Sequence, residues 1–157
     1  MRIGVLSDTH GVTSAAVKAV DKMGTIDALI HAGDYYRDAQ HLESFLRMPI
    51  YAVRGNCDPL SAGQEDLLIT IEGYKIFITH GHLYQAKNTL QYLFYRTREL
   101  EANIVIFGHT HIPLVTRENG ILLFNPGSTA RPLPGYQASF GLLELTPRGV
   151  IGETIEL

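Results

Sequence analysis

The chain has 157 residues, a length that suits one domain with one core, and its 45% hydrophobic and 18% charged residues are ordinary for a folded globular protein. A formal net charge of −3 leaves no basic footprint for duplex nucleic acid or an anionic membrane surface. The single cysteine, Cys57, excludes an internal disulfide. With no leader-like start and no apolar run near the roughly 18 residues of a membrane span, the expected location is the cytoplasm.

In chain order, residues 1–7 read as a strand that runs into Asp8-Thr9-His10. A helix follows, capped by Thr13 or Ser14, with Ala16, Val17, Val20 and Met23 at helical spacing and Gly24 as its stop. Residues 28–32 form a second apolar run, ending at Gly33-Asp34. Asp38 is placed to cap a second helix with Leu42, Phe45 and Leu46 on one face, halted by Pro49. Residues 50–54 lead into Gly55-Asn56-Cys57-Asp58. Residues 66–72 and 74–79 read as a hairpin turning at Gly73 and ending at His80-Gly81-His82. The longest expected helix spans 87–101, with Leu90, Leu93, Phe94, Thr97 and Leu100 as its apolar stripe. Residues 104–107 lead into Gly108-His109-Thr110-His111. Beyond them 114–117, 121–124, 139–145 and 150–155 read as strands.

An α/β first half and a mostly antiparallel second half predict two packed sheets with helices on their outer faces. No repeat or linker divides the chain, so one domain over 1–157 is expected.

Five polar clusters stand where apolar runs end, and in open α/β sheets ligands bind beyond the carboxyl ends of the strands. Asp8, His10, Asp34, Asn56, His80, His109 and His111 therefore form a candidate two-metal site. On an extended backbone residues i and i+2 face one way, so Asp8 and His10 can point into the site together with Thr9 turned aside. His109 and His111 can do the same across Thr110. Gly33, Gly55 and Gly108 each precede a candidate ligand, where glycine allows a sharp turn and close backbone approach. Two carboxylates, four imidazoles and one amide oxygen are too nitrogen-rich for a Ca²⁺ or Mg²⁺ cage. They suit two divalent transition ions, Mn²⁺ foremost, with Fe²⁺, Zn²⁺, Ni²⁺ or Co²⁺ as alternatives. Two such ions against two carboxylates would leave a positive surplus that attracts phosphate and supports an attacking hydroxide.

The ordered set Asp-x-His, Gly-Asp, Gly-Asn-x-Asp, His-Gly-His and Gly-His-x-His, with Asn125-Pro126-Gly127-Ser128, resembles the calcineurin-like metallophosphoesterase superfamily. The length resembles its small, cap-less phosphodiesterase branch. The resemblance implies a double β-sandwich of two mixed sheets flanked by helices and a phosphoesterase activity, with a dimetal-bound hydroxide attacking phosphorus. It implies that Asp8, His10 and His111 hold one ion, that Asn56, His80 and His109 hold the other, and that Asp34 bridges them. Many family members carry histidine after the Gly-Asn, where it serves the leaving group; Cys57 stands there in this chain, a poor substitute for an acid. Asp34, Asn56 and His82 are the residues expected to take part in catalysis, with His82 contacting phosphate, donating a proton or orienting His80.

Other residues have plainer readings. His31 packs or hydrogen-bonds within a strand and His41 lies on a helix. Asp58 either caps a turn before Pro59 or helps to place water. Tyr35 and Tyr36 either pack or form an aromatic wall for substrate, and Arg131 is expected to be solvated. The expected partner is a small phosphoester, with no membrane association and self-association left open. Two rival functions remain: a protein-binding scaffold, as in the retromer's phosphoesterase-like subunit of the same small branch, and a nuclease. Retention of all seven candidate ligands weighs against the scaffold, and the acidic balance weighs against the nuclease.

Overall fold

A computed structural model describes residues 1–157. Ten strands form two mixed five-stranded sheets. In the first sheet the order is β10 (Gly149–Glu156), β9 (Ser139–Thr146), β1 (Arg2–Leu6), β2 (Ala28–His31), β3 (Ile50–Ala52). In the second it is β4 (Asp66–Ile71), β5 (Tyr74–Thr79), β6 (Ile104–Ile106), β8 (Ile121–Pro126), β7 (Pro113–Glu118). β1, β2 and β3 are parallel to one another, and so are β5, β6 and β8, while β4, β7, β9 and β10 pair antiparallel.

Alternation along the strands builds three apolar layers. Ile3, Val5, Ala28 and Ile30 of the first sheet meet Ile76, Ile78, Ile104, Ile106, Leu122 and Phe124 of the second in one central core. The intervening residues face outward. Leu6 and Leu29 lie under α1 (Thr13–Met23) and α2 (Tyr36–Glu43), while Phe77, Val105 and Leu123 lie under α3 (Gln91–Glu99). Because the inner strands are covered on both faces, they read as continuous apolar runs rather than as alternating ones.

The helices differ from expectation at their starts. Neither Thr13 nor Ser14 caps α1: Val12 holds that position, and the Thr13 hydroxyl donates instead to Asp38 Oδ1 at 3.1 Å. Asp38 sits inside the first turn of α2, where it also accepts from the Gly11 N–H at 2.9 Å, so it ties the two helices together rather than capping one. The third helix begins at Gln91, not at residue 87. The chain leaving His80 makes a 3₁₀ turn over His82–Tyr84, and Gln85 then takes a left-handed φ of 53°, which breaks the helical path. No helix is long and apolar enough to cross a membrane.

Candidate metal centre

All six parallel strands point their carboxyl ends at one rim. β1 delivers Asp8 and His10, β2 delivers Asp34, and β3 delivers Asn56. β5 delivers His80 and His82, and β6 delivers His109 and His111. Asp8, His10, Asp34 and His80 are buried; Asn56 remains exposed.

The seven candidate ligands come together in two groups with Asp34 between them. Asp8, His10, Asp34 and His111 offer donor atoms that all lie within 4.8 Å of one another. His10 Nε2 lies 3.6 Å from Asp34 Oδ2 and 3.3 Å from His111 Nε2, and His111 Nε2 lies 3.1 Å from Asp8 Oδ1. On the other side, His80 Nε2 lies 3.4 Å from Asp34 Oδ1 and 3.2 Å from Asn56 Oδ1, and the His80 and His109 ring centroids are 5.1 Å apart. Donors bound to one transition ion at about 2.0–2.2 Å stand roughly 3.0–3.5 Å apart; the His111–Asp8, His80–Asn56, His10–His111 and His80–Asp34 pairs, at 3.1, 3.2, 3.3 and 3.4 Å, fall in that range.

Hydrogen bonding orients two of the imidazoles through Nδ1. His80 donates through Nδ1 to the Ala32 carbonyl at 2.8 Å, leaving the Nε2 lone pair aimed at Asp34 and Asn56. His111 donates through Nδ1 to the Arg131 carbonyl, so Nε2 is the nitrogen aimed at Asp8 and His10. Asp8 Oδ1 is buried without a hydrogen bond of acceptable geometry, although His111, His80 and His10 Nε2 surround it at 3.1, 3.9 and 4.0 Å. A buried carboxylate oxygen without a hydrogen bond is unfavourable unless a cation lies beside it, and the nitrogen and oxygen donors gathered here fit one.

The protonation preferences follow from the same contacts. Burial opposes the charge on Asp8, yet the hydrogen bond a protonated His111 would give it, the charges of His80 and His111, and the Ser7 hydroxyl hold its carboxyl below the ordinary range. Reciprocally, that bond to Asp8 raises His111. Burial pulls His10 down, and burial with the nearby His80 and Lys87 takes His109 to about 4. His10 and His109 are therefore neutral near pH 7, the form that ligates metal.

Extended geometry does not aim these side chains. Asp8, His10, Asp34, His109 and His111 have φ of 53°, 47°, 56°, 67° and 58°, all in the left-handed region. The i, i+2 argument from strand alternation fails here, because each loop turns sharply to bring its side chains inward. Asp and His tolerate this region better than most residues, but each still carries on the order of 1–3 kcal/mol of strain. Gly55 and Gly108 do serve close approach. A Cβ on Gly55 would lie 2.1 Å from Asp34 Oδ1, and one on Gly108 would lie 1.9 Å from Ser7 Oγ.

Around the cluster, His82 sits with its ring 5.3 Å from His80 and 6.1 Å from His109, and its buried Nδ1 has no partner. Burial and His80 lower its pKa. Burial, with the Asp34 carboxylate beside it, pushes the Cys57 thiol up to about 11, so it is a protonated thiol near neutrality. Asp58 resolves as a staple: it accepts from Gly55 N–H at 2.9 Å and from Tyr36 N–H at 2.8 Å. His31 is fully buried and its Nε2 lies 3.1 Å from the Thr9 hydroxyl, so it braces the Asp8 loop. His41 packs against Phe45, and the Arg131 side chain is exposed.

Several supports escaped the sequence reading. Ser7 donates to Asp8 Oδ2 at 2.7 Å, Ser128 donates to the Asp8 carbonyl at 2.7 Å, and Asn125 donates to the Gly108 carbonyl at 2.9 Å. Asn125-Pro126-Gly127-Ser128 was visible as a motif, but nothing in it named these partners. The Ala32 and Arg131 carbonyls carry no side-chain signal at all.

Comparison with known proteins shows the family and the fold. The family description "Calcineurin-like phosphoesterase superfamily domain" matches residues 1–148. Phosphodiesterase YfcE of Escherichia coli (strain K12) is 35% identical over a 171-residue alignment that covers 92% of this chain and 88% of the relative. The crystal structure of a predicted phosphoesterase from Streptococcus pneumoniae TIGR4 superposes with a TM-score of 0.79 at 29% identity, covering 98% of this chain and 97% of that one. Wild-type Vps29 from Entamoeba histolytica, solved with Zn²⁺, shares the fold at a TM-score of 0.76 and 24% identity, covering 99% of this chain and 98% of that one. The chain belongs to the calcineurin-like phosphoesterase superfamily, whose double sandwich of two mixed sheets flanked by helices it adopts.

Proposed function

We propose that this protein is a metal-dependent phosphodiesterase, folded as one domain over residues 1–157 and acting in the cytoplasm on a small phosphoester. The observation that carries the reading is the buried Asp8 Oδ1, without a hydrogen bond and ringed by three imidazole nitrogens beside the doubly facing Asp34. Asp8, His10 and His111 would hold one divalent ion, Asn56, His80 and His109 a second, and Asp34 both. Divalent transition ions suit this nitrogen- and oxygen-rich set; Mn²⁺ is the ion proposed first, with Fe²⁺, Zn²⁺, Ni²⁺ or Co²⁺ as alternatives. Paired ions supply a hydroxide near neutral pH and take up charge on phosphoryl oxygens.

The chain's own residues do the positioning. Asp34, fixed by the Cys57 N–H at 2.9 Å, keeps one oxygen toward each group. Asn56 adds an uncharged oxygen, which preserves the positive surplus that draws the phosphoryl group. His82, neutral because burial lowers its pKa, offers a hydrogen bond to a phosphoryl oxygen rather than a ready proton. Full retention of the donor set favours a hydrolase over a protein-binding scaffold, which has no chemical need for it.

A panel of phosphomonoesters and phosphodiesters, run on protein stripped by chelation and on the same protein reloaded with Mn²⁺, tests the reading. Diester hydrolysis should appear only on reloading. Hydrolysis undiminished by stripping, or none toward any ester after reloading, would overturn it.

A further inference from the structure

A cleft of about 400 Å³ opens beside Asp34, lined by Tyr35, Arg37, Gln40, Cys57, Asp58 and Ser61 among others. Tyr35 directly follows Asp34 and Cys57 directly follows Asn56, so the cleft begins where the candidate metal donors end. Its volume lies within the roughly 300–1,000 Å³ of small-ligand sites.

Tyr35 is held there against its own backbone preference. Its φ is 73°, immediately after Asp34 at 56°, and a bulky residue in this region is an outlier. The surrounding bonds over-determine the turn. Thr9 donates to the Asp34 carbonyl at 3.3 Å, Asp38 N–H donates to the Tyr35 carbonyl at 2.9 Å, and Tyr36 N–H donates to Asp58 Oδ1 at 2.8 Å. The strain carries the ring over Gly11, where an added Cβ would lie 3.0 Å from Tyr35 Cε1, and to 5.6 Å from the His10 ring. Tyr35 remains 38% exposed and lines the cleft, so part of it is open to a ligand.

The polar wall has one cation to spare. Arg37 is exposed and makes no ion pair or side-chain hydrogen bond. The one carboxylate lining the cleft, Asp58, already accepts from two backbone N–H groups. Gln40 is exposed beside Arg37 and can bind an acceptor at the same edge.

We infer that this cleft is the specificity-determining subsite for one ester arm of the substrate, stacking a planar ring on Tyr35 and pairing an anionic group at the ring's far edge with Arg37. The inference rests on the phosphoesterase reading for its phosphoryl anchor, and it adds the chemical class of arm: aryl or heteroaryl, bearing a carboxylate or phosphate.

Three non-hydrolysable phosphonates test it by calorimetry on Mn²⁺-loaded protein: methylphosphonate, benzylphosphonate and 4-carboxybenzylphosphonate. The ring should tighten binding about two- to tenfold, the scale of an aromatic contact. The carboxylate should add about two- to fivefold, since Arg37 is solvent-exposed. Tyr35→Leu should erase the benzyl advantage and Arg37→Gln the carboxylate advantage, each with the metal content of the unaltered protein. Equal binding of the three ligands, or preferences that survive both substitutions, would overturn the subsite. If the affinity order holds while no ester is hydrolysed, the subsite stands and the hydrolase reading falls. If diesters are hydrolysed but the order is absent, the subsite alone falls.

Discussion

Asp34 turns one oxygen toward His10 and the other toward His80, so a single carboxylate sets the spacing of the two donor groups. Asp34→Asn keeps the shape but removes the charge that both groups share. Support residues around a metal typically matter about 10–100-fold, and a shared donor should exceed that. Turnover of a diester is expected to fall more than about 100-fold in Asp34→Asn and further than in His10→Ala, with loss of bound Mn²⁺ by elemental analysis. Metal content and turnover equal to the unaltered protein would refute the shared role. Cys57 raises a second question at this scale, because a thiol is a weak substitute for a general acid usually worth about 10²–10⁴-fold. Aryl diesters, whose phenolate leaves unaided, are expected to be cleaved far faster than alkyl diesters. Cys57→His should narrow the gap at matched metal occupancy, and Cys57→Ala should change little. Similar rates for aryl and alkyl diesters would mean that an efficient acid is already present. Side chains with ligand chemistry were readable in the sequence because their identity is their signal. Ser7, Ser128 and the Ala32 and Arg131 carbonyls were not, since a hydroxyl or carbonyl acquires its role only from the neighbour that folding brings to it.

The strand-to-loop junctions carry the site, and their apolar runs ending in polar clusters made them legible one by one. What the pattern concealed was conformation. Strand alternation suggested that Asp8 and His10 face inward on extended backbone, but both are left-handed, as are Asp34, His109 and His111. The start of α3 was misplaced for a similar reason, because residues after His82 must first turn away from the site. Packing of one loop on the next now makes Gly108 a sensitive position. A methyl there would lie 1.9 Å from Ser7 Oγ and 2.7 Å from Asp8 Oδ2. Gly108→Ala is expected to cost about 1–3 kcal/mol by overpacking and to weaken Mn²⁺ binding about 10–100-fold by shifting Asp8. Thermal melts and metal titration measure the two effects separately. Unaltered metal affinity would show that the Asp8 loop is less constrained than its contacts indicate.

Two sheets share one core, and the donors hang from both of them, so an ion bound at the rim cross-links the sandwich. If Asp8 and Asp34, both buried among imidazoles, hold an ion, the bound state gains stability over the metal-free one. A ligand at 100 times its dissociation constant stabilises the folded state by about 2.7 kcal/mol, or roughly 5–11 °C in Tm for a chain of this size. Chelation is expected to lower Tm by that order, and Mn²⁺ should restore it. A Tm indifferent to chelation would mean that the cluster binds metal weakly or not at all. The two-sheet architecture was legible because buried parallel strands give unmistakable apolar runs. The way their loops interlock was not, because it depends on contacts between residues about a hundred positions apart, such as the His109 N–H on Asp8 Oδ2 at 3.0 Å.

The most direct test of two ions acting together on a phosphodiester is one titration. Metal-stripped protein is taken through increasing Mn²⁺, with bound metal and hydrolysis of a bis-aryl phosphodiester measured in the same samples. Hydrolysis should rise with occupancy and level off at two bound ions per chain, and Asp34→Asn should abolish both the second ion and the rise. Full hydrolysis by the stripped protein, or a plateau reached at one bound ion per chain, would contradict the account.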